Sequence, residues 1–181
     1  MQNKFALLLV LSAVLYSDYA QALKEEVVNF ECQNINELKY CVDENGVPLT
    51  GKVEVRNPSN PTILQSQENF KNGYQNGSSI YYNAQGIRYE RRQYKMGIHN
   101  GMSKRYYPNG QLKILATYRD GLLDGMVEVY DEDKKQIGKM EYKKGKLYRG
   151  YCKDSKGSKY NLKKSDMEPY QDNQLYTCGV Q

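Results

Sequence analysis

The sequence predicts an all-β protein: an elongated, single-layer antiparallel meander of repeated β-hairpins with a disulfide-bearing cap at each end. Three observations in the 181-residue chain predict this fold. Glycines recur in pairs, aromatic residues follow the same step of about 24 residues, and Asn-Gly or Asp-Gly dipeptides separate short runs of tyrosine and aliphatic residues. A repeat of this length indicates stacked supersecondary units, and such dipeptides supply the positive φ angles of tight hairpin turns.

Eight glycines and seven aromatic residues define the repeat. The glycines predicted at the repeat turns are Gly73, Gly77, Gly97, Gly101, Gly110, Gly121, Gly125 and Gly145. The aromatic residues that keep the register are Phe70, Tyr82, Tyr94, Tyr106, Tyr118, Tyr130 and Tyr142. We expect these rings to pack across neighbouring strands in place of a thick aliphatic core, and we prefer this role to a dedicated ligand-stacking role.

Alternation along the strands predicts which side of the sheet is packed. Even-numbered positions include Met102, Met126 and Met140, whereas odd-numbered positions include Ser103 and Lys139. Because the repeat has an even number of residues, each repeat is expected to present the same face. The sequence therefore predicts an even-numbered packed face. The exceptions to this alternation are Lys104, Leu115, Val127, Glu128 and Val129.

The N-terminal segment 1–22 is predicted to be a secretory signal peptide. A basic start at Lys4 precedes the apolar run 5–16, and Ala20 and Ala22 place small residues before a cleavage site near Ala22. The alternative is a short membrane anchor, which the length of the apolar run does not favour. The mature chain is therefore expected to be soluble and exported, either periplasmic or secreted.

Export determines how the cysteines are interpreted. The four cysteines are Cys32, Cys41, Cys152 and Cys178. An even number in an oxidising compartment predicts two disulfides, with three possible connectivities. The local connectivity would place one bridge in an N-terminal cap, 23–44, and one in a C-terminal cap, 151–181. A zinc site is the less favoured alternative, because four scattered thiolates would have to converge without a nearby histidine.

The repeat motifs resemble a known family. The segment Gly101–Lys113 contains Tyr-Pro-Asn-Gly, and Tyr118–Gly125 ends in a Gly-x-x-x-Gly element. Both resemble MORN repeats, most closely the MORN-variant repeat of bacterial proteins often labelled as the antitoxin component of a toxin–antitoxin module. Asn45–Gly51 is similar to the usual start of such arrays, so the resemblance covers about 45–150. It implies stacked hairpins and a role in binding or scaffolding.

Charge is distributed unevenly along the chain. Residues Lys134 to Lys164 include twelve Lys or Arg and two acidic residues, whereas Leu23 to Phe70 include four basic and eight acidic residues. The residues predicted to bind an anionic partner are Lys143, Lys144, Lys146 and Arg149. A second basic cluster contains Arg88, Arg91, Arg92 and Lys95. The alternative for both clusters is a solvated sheet edge, where lysine discourages aggregation.

The sequence argues against an enzyme. The chain has one histidine, and it shows neither a nucleophile elbow nor a phosphate-cradling loop nor paired catalytic carboxylates. His99 is expected to be an exposed turn residue, and the acidic run Asp131–Asp133 is at most a weak calcium ligand set. We therefore expect a non-enzymatic protein that requires no cofactor or metal.

The resemblance and the charge pattern together predict a binding function. The favoured interpretation is an exported protein-binding or scaffold module whose protein partner is unidentified. The alternative is association with anionic lipid or glycan surfaces through the basic region 134–164. Tyrosine interleaved with basic residues can also hold single-stranded nucleic acid, but export makes nucleic acid an unfavoured partner.

Overall fold

The computed structural model describes residues 8–11, 26–27, 29–169 and 173–180. The predicted all-β hairpin meander with two disulfides is confirmed in this part of the chain. The chain divides into two compact units. The first comprises Met1–Gly86 with Tyr94–Gly97, and the second comprises Ile87–Gln93 with Ile98–Gln181. The predicted cleavage point near Ala22 lies outside the described residues.

The secondary structure consists of short strands and one short helix. The strands are β1 (Leu8–Leu11), β2 (Glu26–Val27), β3 (Phe30–Ile35), β4 (Leu38–Asp43), β5 (Gly51–Asn57), β6 (Asn60–Lys71), β7 (Tyr74–Gln75), β8 (Gly77–Tyr82), β9 (Arg88–Lys95), β10 (Ile98–His99), β11 (Gly101–Tyr106), β12 (Leu112–Arg119), β13 (Leu122–Tyr130), β14 (Gln136–Lys143), β15 (Lys146–Lys153) and β16 (Lys159–Asn161). The helix is α1 (Lys164–Met167). Among the described residues, no helix has the length and apolar character needed to cross a membrane.

In the first unit the strands pair antiparallel, and several of these pairs join strands that are not neighbours in sequence. β5 forms a hairpin with β6, and β6 also pairs with β7 and β8. The β3–β4 hairpin is joined to this sheet through β4 and β7. β1 pairs with β5, where Leu9 lies opposite Glu54, and β2 pairs with β1. β1 belongs to the segment predicted to be removed on export, and its removal would leave that side of β5 without this partner strand.

In the second unit the meander is continuous. β9 pairs with β11, and from β11 to β15 each strand pairs antiparallel with the next strand along the chain. Its buried apolar cluster is formed by Ile114, Ala116, Leu123, Val127, Val129, Met140, Tyr142, Leu147, Cys152 and Leu162. The smaller cluster of the first unit is formed by Cys41, Leu49, Val53 and Phe70.

The repeat seen in the sequence corresponds to a backbone hydrogen bond that recurs at equivalent turns. In the first unit the Gly97 amide donates to the Gln75 carbonyl at 2.7 Å. In the second unit the Gly121 amide donates to the His99 carbonyl at 2.9 Å. All eight glycines of the repeat turns have positive φ, from 80° to 124°. A side chain with a Cβ is strained at such angles, and this explains why glycine marks the repeat.

The prediction that even-numbered residues form the packed face is correct for β12 and β14 and wrong for β11 and β13. In β11 and β13 the buried residues are Ser103, Leu123, Val127 and Val129. Met102 and Met126 are 47% and 38% exposed. The reason is the register between strands. Ala116 lies opposite Ser103 and Val127, and directly opposed residues share a face. An even-numbered residue thus faces an odd-numbered one, and the parity of the packed face alternates between β11 and β14.

Each disulfide fastens a terminal segment. Cys32–Cys41 joins directly opposed residues of β3 and β4, and Cys152–Cys178 joins β15 to the C-terminal segment. This is the local connectivity, so the sulfurs are bonded to each other rather than available to zinc. The C-terminal segment packs on the apolar cluster of the second unit through Leu175, Tyr176, Cys178 and Val180.

A hydrogen-bonded tyrosine anchors the same segment. The Tyr142 hydroxyl donates to the Gln174 carbonyl at 2.9 Å and accepts from the Tyr176 amide at 2.8 Å. Farther along, the Asn173 side chain accepts from the Leu123 amide and donates to the Gly121 carbonyl. Within the predicted C-terminal cap 151–181, residues 173–180 are therefore laid over the packed face and held there by polar contacts and by the disulfide, whereas β16 continues the sheet.

Candidate functional site

The packed face of the second unit changes from charged to apolar from strand to strand. Cross-strand partners place six residues in one row, beginning on β9 and ending on β15. The row is Glu90, Arg105, Ile114, Val129, Gly138 and Cys152. Residues opposite one another share a face, so the first two residues occupy the same surface as the apolar core. The buried apolar cluster that the C-terminal segment covers contains no described residue of β9 or β11.

Glu90, Arg92 and Arg105 form what we call the arginine–glutamate cluster. The Glu90 carboxylate accepts from an Arg92 guanidinium nitrogen at 2.6 Å and from Arg105 Nε at 3.1 Å. Burial alone would raise the pKa of Glu90, but the hydrogen bond and positive charge of Arg92, together with those of Arg105, lower this pKa below its ordinary value. The carboxylate is therefore ionised at neutral pH.

The cluster is buried at its acidic centre and open at its basic rim. The Glu90 side chain is 4% exposed, whereas those of Arg92 and Arg105 are 37% and 44% exposed. Residues 88–93 and 101–106 together include five basic residues, which are Arg88, Arg91, Arg92, Lys104 and Arg105, and one acidic residue, Glu90. This part of the sheet has an excess of positive charge that Glu90 does not neutralise.

His99 lies beside the cluster and is not the exposed turn residue that the sequence predicts. It is half-buried, and its imidazole stacks on the Tyr118 ring with centroids 3.8 Å apart and an interplanar angle of 19°. Burial, followed by the positive charge of Arg92, lowers the pKa of His99 to about 4, against a smaller opposing effect of Glu90. The imidazole is neutral at neutral pH and presents an aromatic surface next to the guanidinium groups.

The lysines predicted to bind an anionic partner lie together at the β14–β15 turn, which we call the basic hairpin (Lys143–Arg149). Lys143 and Lys146 are directly opposed, and Lys144 is within the turn between them. All three are exposed. The Lys143 ammonium lies 4.0 Å from the centre of the Tyr148 ring, and Tyr148 is 57% exposed. A cation over the face of an exposed aromatic ring makes a weak, favourable electrostatic contact.

Arg149 differs from the three lysines. Its guanidinium forms an ion pair with the Glu141 carboxylate on the neighbouring strand. Arg149 and Glu141 also line an open groove of about 420 Å³, together with Met126, Lys139 and Tyr151. Lys139 is in turn paired with Glu128 at 3.3 Å. The basic residues of the groove therefore have acidic partners within the sheet, whereas Lys143, Lys144 and Lys146 form no ion pair with another described residue.

The first unit has a different buried acid. The Glu68 carboxylate accepts from Lys39 at 2.8 Å, from Gln75 at 2.7 Å and from Ser66 at 2.7 Å. It is 3% exposed. Next to it, burial and the Tyr94 hydroxyl raise the pKa of Tyr81. Lys39 lies on the N-terminal hairpin, so this hydrogen-bonded set fastens that cap to the sheet and has a structural role.

The remaining predicted features have local roles. The repeat aromatics are at least partly buried, from Tyr142 at 1% and Phe70 at 4% to the intermediate exposure of the other five. Asp131 accepts from the backbone amides of Asp133 and Lys135, which holds it in a turn. Among the described residues, no group of three or more His, Cys, Asp or Glu side chains is arranged to hold a metal ion.

The arginine–glutamate cluster was not predicted as a site. Arg92 was included only in a basic cluster, and neither Glu90 nor Arg105 was singled out. A signal was present in the sequence: one repeat later, the positions of Glu90, Arg92 and Arg105 hold Ile114, Ala116 and Val129. Charged residues at positions that are apolar in the next repeat indicate a local function or a local change in burial.

No family model matches the chain, and no curated protein matches it. The function proposed below rests on the residues of the chain itself.

Proposed function

We propose that the protein is an exported, non-enzymatic protein-binding module built on MORN-like repeats, related to the MORN-variant proteins labelled as antitoxins. The observation that carries the proposal is the arginine–glutamate cluster, in which a buried carboxylate lies beneath two half-exposed guanidinium groups on a sheet face. Arginine is among the residues that dominate binding energy at protein interfaces. The two disulfides are consistent with an oxidising compartment and so support export through the predicted signal peptide.

The stability of the fold does not by itself explain such a cluster. Replacing a buried ion pair or triad with well-packed apolar residues is often neutral or stabilising, because the charges lose their hydration. The next repeat shows that this sheet accommodates Ile114, Ala116 and Val129 at the matching positions, each of them 2% exposed or less. The charges are therefore better explained by recognition of a partner than by folding.

Affinity capture from envelope and host-cell extracts tests the proposal. The oxidised exported protein is the bait, at low and physiological salt, and retained proteins are identified by mass spectrometry. We expect one protein to be retained at both salt concentrations and to form a stoichiometric complex when both proteins are purified. A hydrolase or transferase activity of the purified protein that a single substitution abolishes would contradict the proposal.

Association with an anionic lipid or glycan surface is the second candidate, and the basic hairpin favours it. Three exposed lysines and the exposed Tyr148 lie on one turn, and anionic surfaces attract such clusters with a strength that falls as salt rises. Binding is measured with vesicles of phosphatidylglycerol and phosphatidylcholine, and with heparin as an anionic glycan. We expect strong binding at low salt that declines steeply toward about 0.15 M salt.

A matched pair of variants decides this second candidate. One variant changes Lys143, Lys144, Lys146 and Arg149 to Gln. The control changes Lys134, Lys135, Lys156 and Lys163 to Gln, and these four are also exposed. Both remove four positive charges, so a specific role of the basic hairpin predicts a loss of binding in the first variant only. Equal losses, or binding that does not respond to salt, would count against it.

A further inference from the structure

Resting on the proposed function, we infer that the partner is a protein that presents an extended acidic segment, whose carboxylates bind the guanidinium groups of Arg92 and Arg105. The inference names the chemistry of the partner and the part of the sheet that receives it. It goes beyond the general charge of the chain, because it depends on one face of two strands in the second unit.

Two arginines share a single carboxylate. Glu90 and Arg92 alternate along β9 and therefore line one face of the strand, and Arg105 lies opposite Glu90 on β11. Glu90 provides one negative charge for these two positive ones. Arg88 is outside this pair, because its guanidinium lies 4.2 Å from the centre of the ring of Tyr106, which follows Arg105 in β11 and points to the opposite face.

Geometry favours an extended acidic segment. Glu90 lies opposite Arg105 and Arg92 follows two residues after Glu90, so Arg92 and Arg105 are diagonal neighbours on β9 and β11, about 7 Å apart. An extended peptide with acidic residues at positions i and i+2 has about the same spacing, so two of its carboxylates can reach both arginines. Guanidinium groups bind carboxylates through paired, charge-assisted hydrogen bonds, which supplies both affinity and orientation. The neutral His99–Tyr118 stack next to Arg92 can pack against the apolar part of such a segment.

Glu90 acts as an internal competitor for the arginines. Its carboxylate already occupies one side of Arg92 and Arg105, at 2.6 and 3.1 Å, and holds both side chains in place. It also reduces the positive charge that a partner meets. The same residue therefore positions the guanidinium groups and limits how tightly they bind an external carboxylate.

The experiment measures binding of a fluorescein-labelled peptide of eleven residues in which Glu alternates with Ser, by fluorescence anisotropy at about 0.15 M salt. The control peptide carries Gln in place of Glu. The protein is the oxidised full chain as exported, and the melting temperature of each variant is recorded. We expect the Glu peptide to bind and the Gln peptide not to bind.

Two double variants distinguish binding at the arginine–glutamate cluster from non-specific electrostatic attraction. Arg92→Gln with Arg105→Gln is expected to weaken binding by roughly tenfold to a hundredfold, because hydrogen bonds to charged groups are lost. Arg91→Gln with Lys104→Gln removes two charges from the same strands, where the two residues are directly opposed on the other face. That variant is expected to weaken binding by no more than about threefold. Equal losses in the two variants would overturn the inference.

A third variant is expected to bind the acidic peptide more tightly. Glu90→Gln removes the internal carboxylate and leaves an amide oxygen as an acceptor, so the acidic peptide is expected to bind roughly tenfold more tightly. Weaker or unchanged binding in a folded Glu90→Gln variant would refute the inference. If the Arg92 and Arg105 double variant does not fold, Glu90→Gln and the single variant Arg92→Gln, which is expected to bind less tightly, decide the question.

The outcome is distinguishable from failure of the proposed function. A purified partner that binds the wild type and the Arg92 and Arg105 double variant equally would leave the protein-binding function standing and remove the acidic segment from it. Binding of anionic vesicles without binding of the acidic peptide would likewise contradict the inference, because it would assign the positive charge to a lipid surface.

Discussion

Replacing the arginine–glutamate cluster with the residues of the next repeat separates its role in folding from its role in binding. The triple variant Glu90→Ile, Arg92→Ala and Arg105→Val introduces the side chains that the chain itself carries one repeat later. Because a buried charged triad contributes little net stability relative to apolar residues, we expect the free energy of unfolding to stay within about 1 kcal/mol of the wild type or to rise. Binding of the acidic peptide should be lost.

The single variant Arg105→Ala is the informative contrast. It leaves the 4%-exposed Glu90 side chain with one of its two arginine partners. Breaking a fully buried pair costs about 3 to 5 kcal/mol, but the Arg105 side chain is 44% exposed and screened by water. We therefore expect a loss of about 1 to 2 kcal/mol, larger than that of the triple variant even though fewer residues change.

Urea denaturation of the oxidised protein, followed by circular dichroism, measures both changes. The slope of the unfolding free energy against urea should stay the same in all variants, which shows that the extent of unfolding is unchanged. A triple variant that is less stable than the wild type by more than about 2 kcal/mol would refute the reasoning, since it would show that the charges hold the sheet together.

Three further predictions concern the caps and the histidine. Removing the Cys152–Cys178 bridge by alanine substitution should lower the free energy of unfolding by about 3.5 kcal/mol on the loop-entropy model for its separation of 26 residues, measured by urea denaturation with and without the bridge. Tyr142→Phe should cost about 1 to 3 kcal/mol because a backbone carbonyl and an amide lose their partner, whereas Tyr148→Phe, on a side chain 57% exposed, should change the unfolding free energy little. The folded-state pKa of His99 is lowered to about 4 from 6.5, so the unfolded chain takes up the proton first and stability should fall as pH decreases from about 6.5 to 4. His99→Leu should remove that part of the pH dependence in denaturation curves recorded across this range, and an unchanged slope would contradict the assignment.

The sequence was sufficient for the strands and their turns because glycine at positive φ leaves a regular mark. Gly97 and Gly121 occupy equivalent turns, and their amides make equivalent hydrogen bonds. The same spacing says nothing about which residues oppose each other across two strands. The register that places Ser103 opposite Ala116 reversed the predicted face of β11. Register depends on the exact geometry of each turn and bulge, and a shift of one residue moves every side chain to the other face.

The arginine–glutamate cluster could not be predicted from the sequence for the same reason. Glu90 and Arg105 are fifteen residues apart in sequence and become neighbours only through the pairing of β9 with β11. Similarly, four cysteines allow three connectivities, and only the folded chain selects Cys32–Cys41 and Cys152–Cys178. Contacts within a hairpin follow from local spacing, whereas contacts that cross strands or join a terminal segment to the sheet require the tertiary structure.

The distribution of charge within the second unit follows from what covers each part of its packed face. Leu123 and Met140 are both 0% exposed and belong to the cluster on which the C-terminal segment packs. A charge at either position would be buried without water or a counter-ion, which is costly. On β9 and β11 the arginines reach solvent, so guanidinium groups are tolerated there and can meet a carboxylate from another molecule. A C-terminal cap that extended over β9 and β11 would favour apolar residues at the positions of Glu90, Arg92 and Arg105. The arginine–glutamate cluster would then be lost. Under the proposed function, the cap thus uses one part of this sheet face for folding and the arginine–glutamate cluster uses another part for recognition.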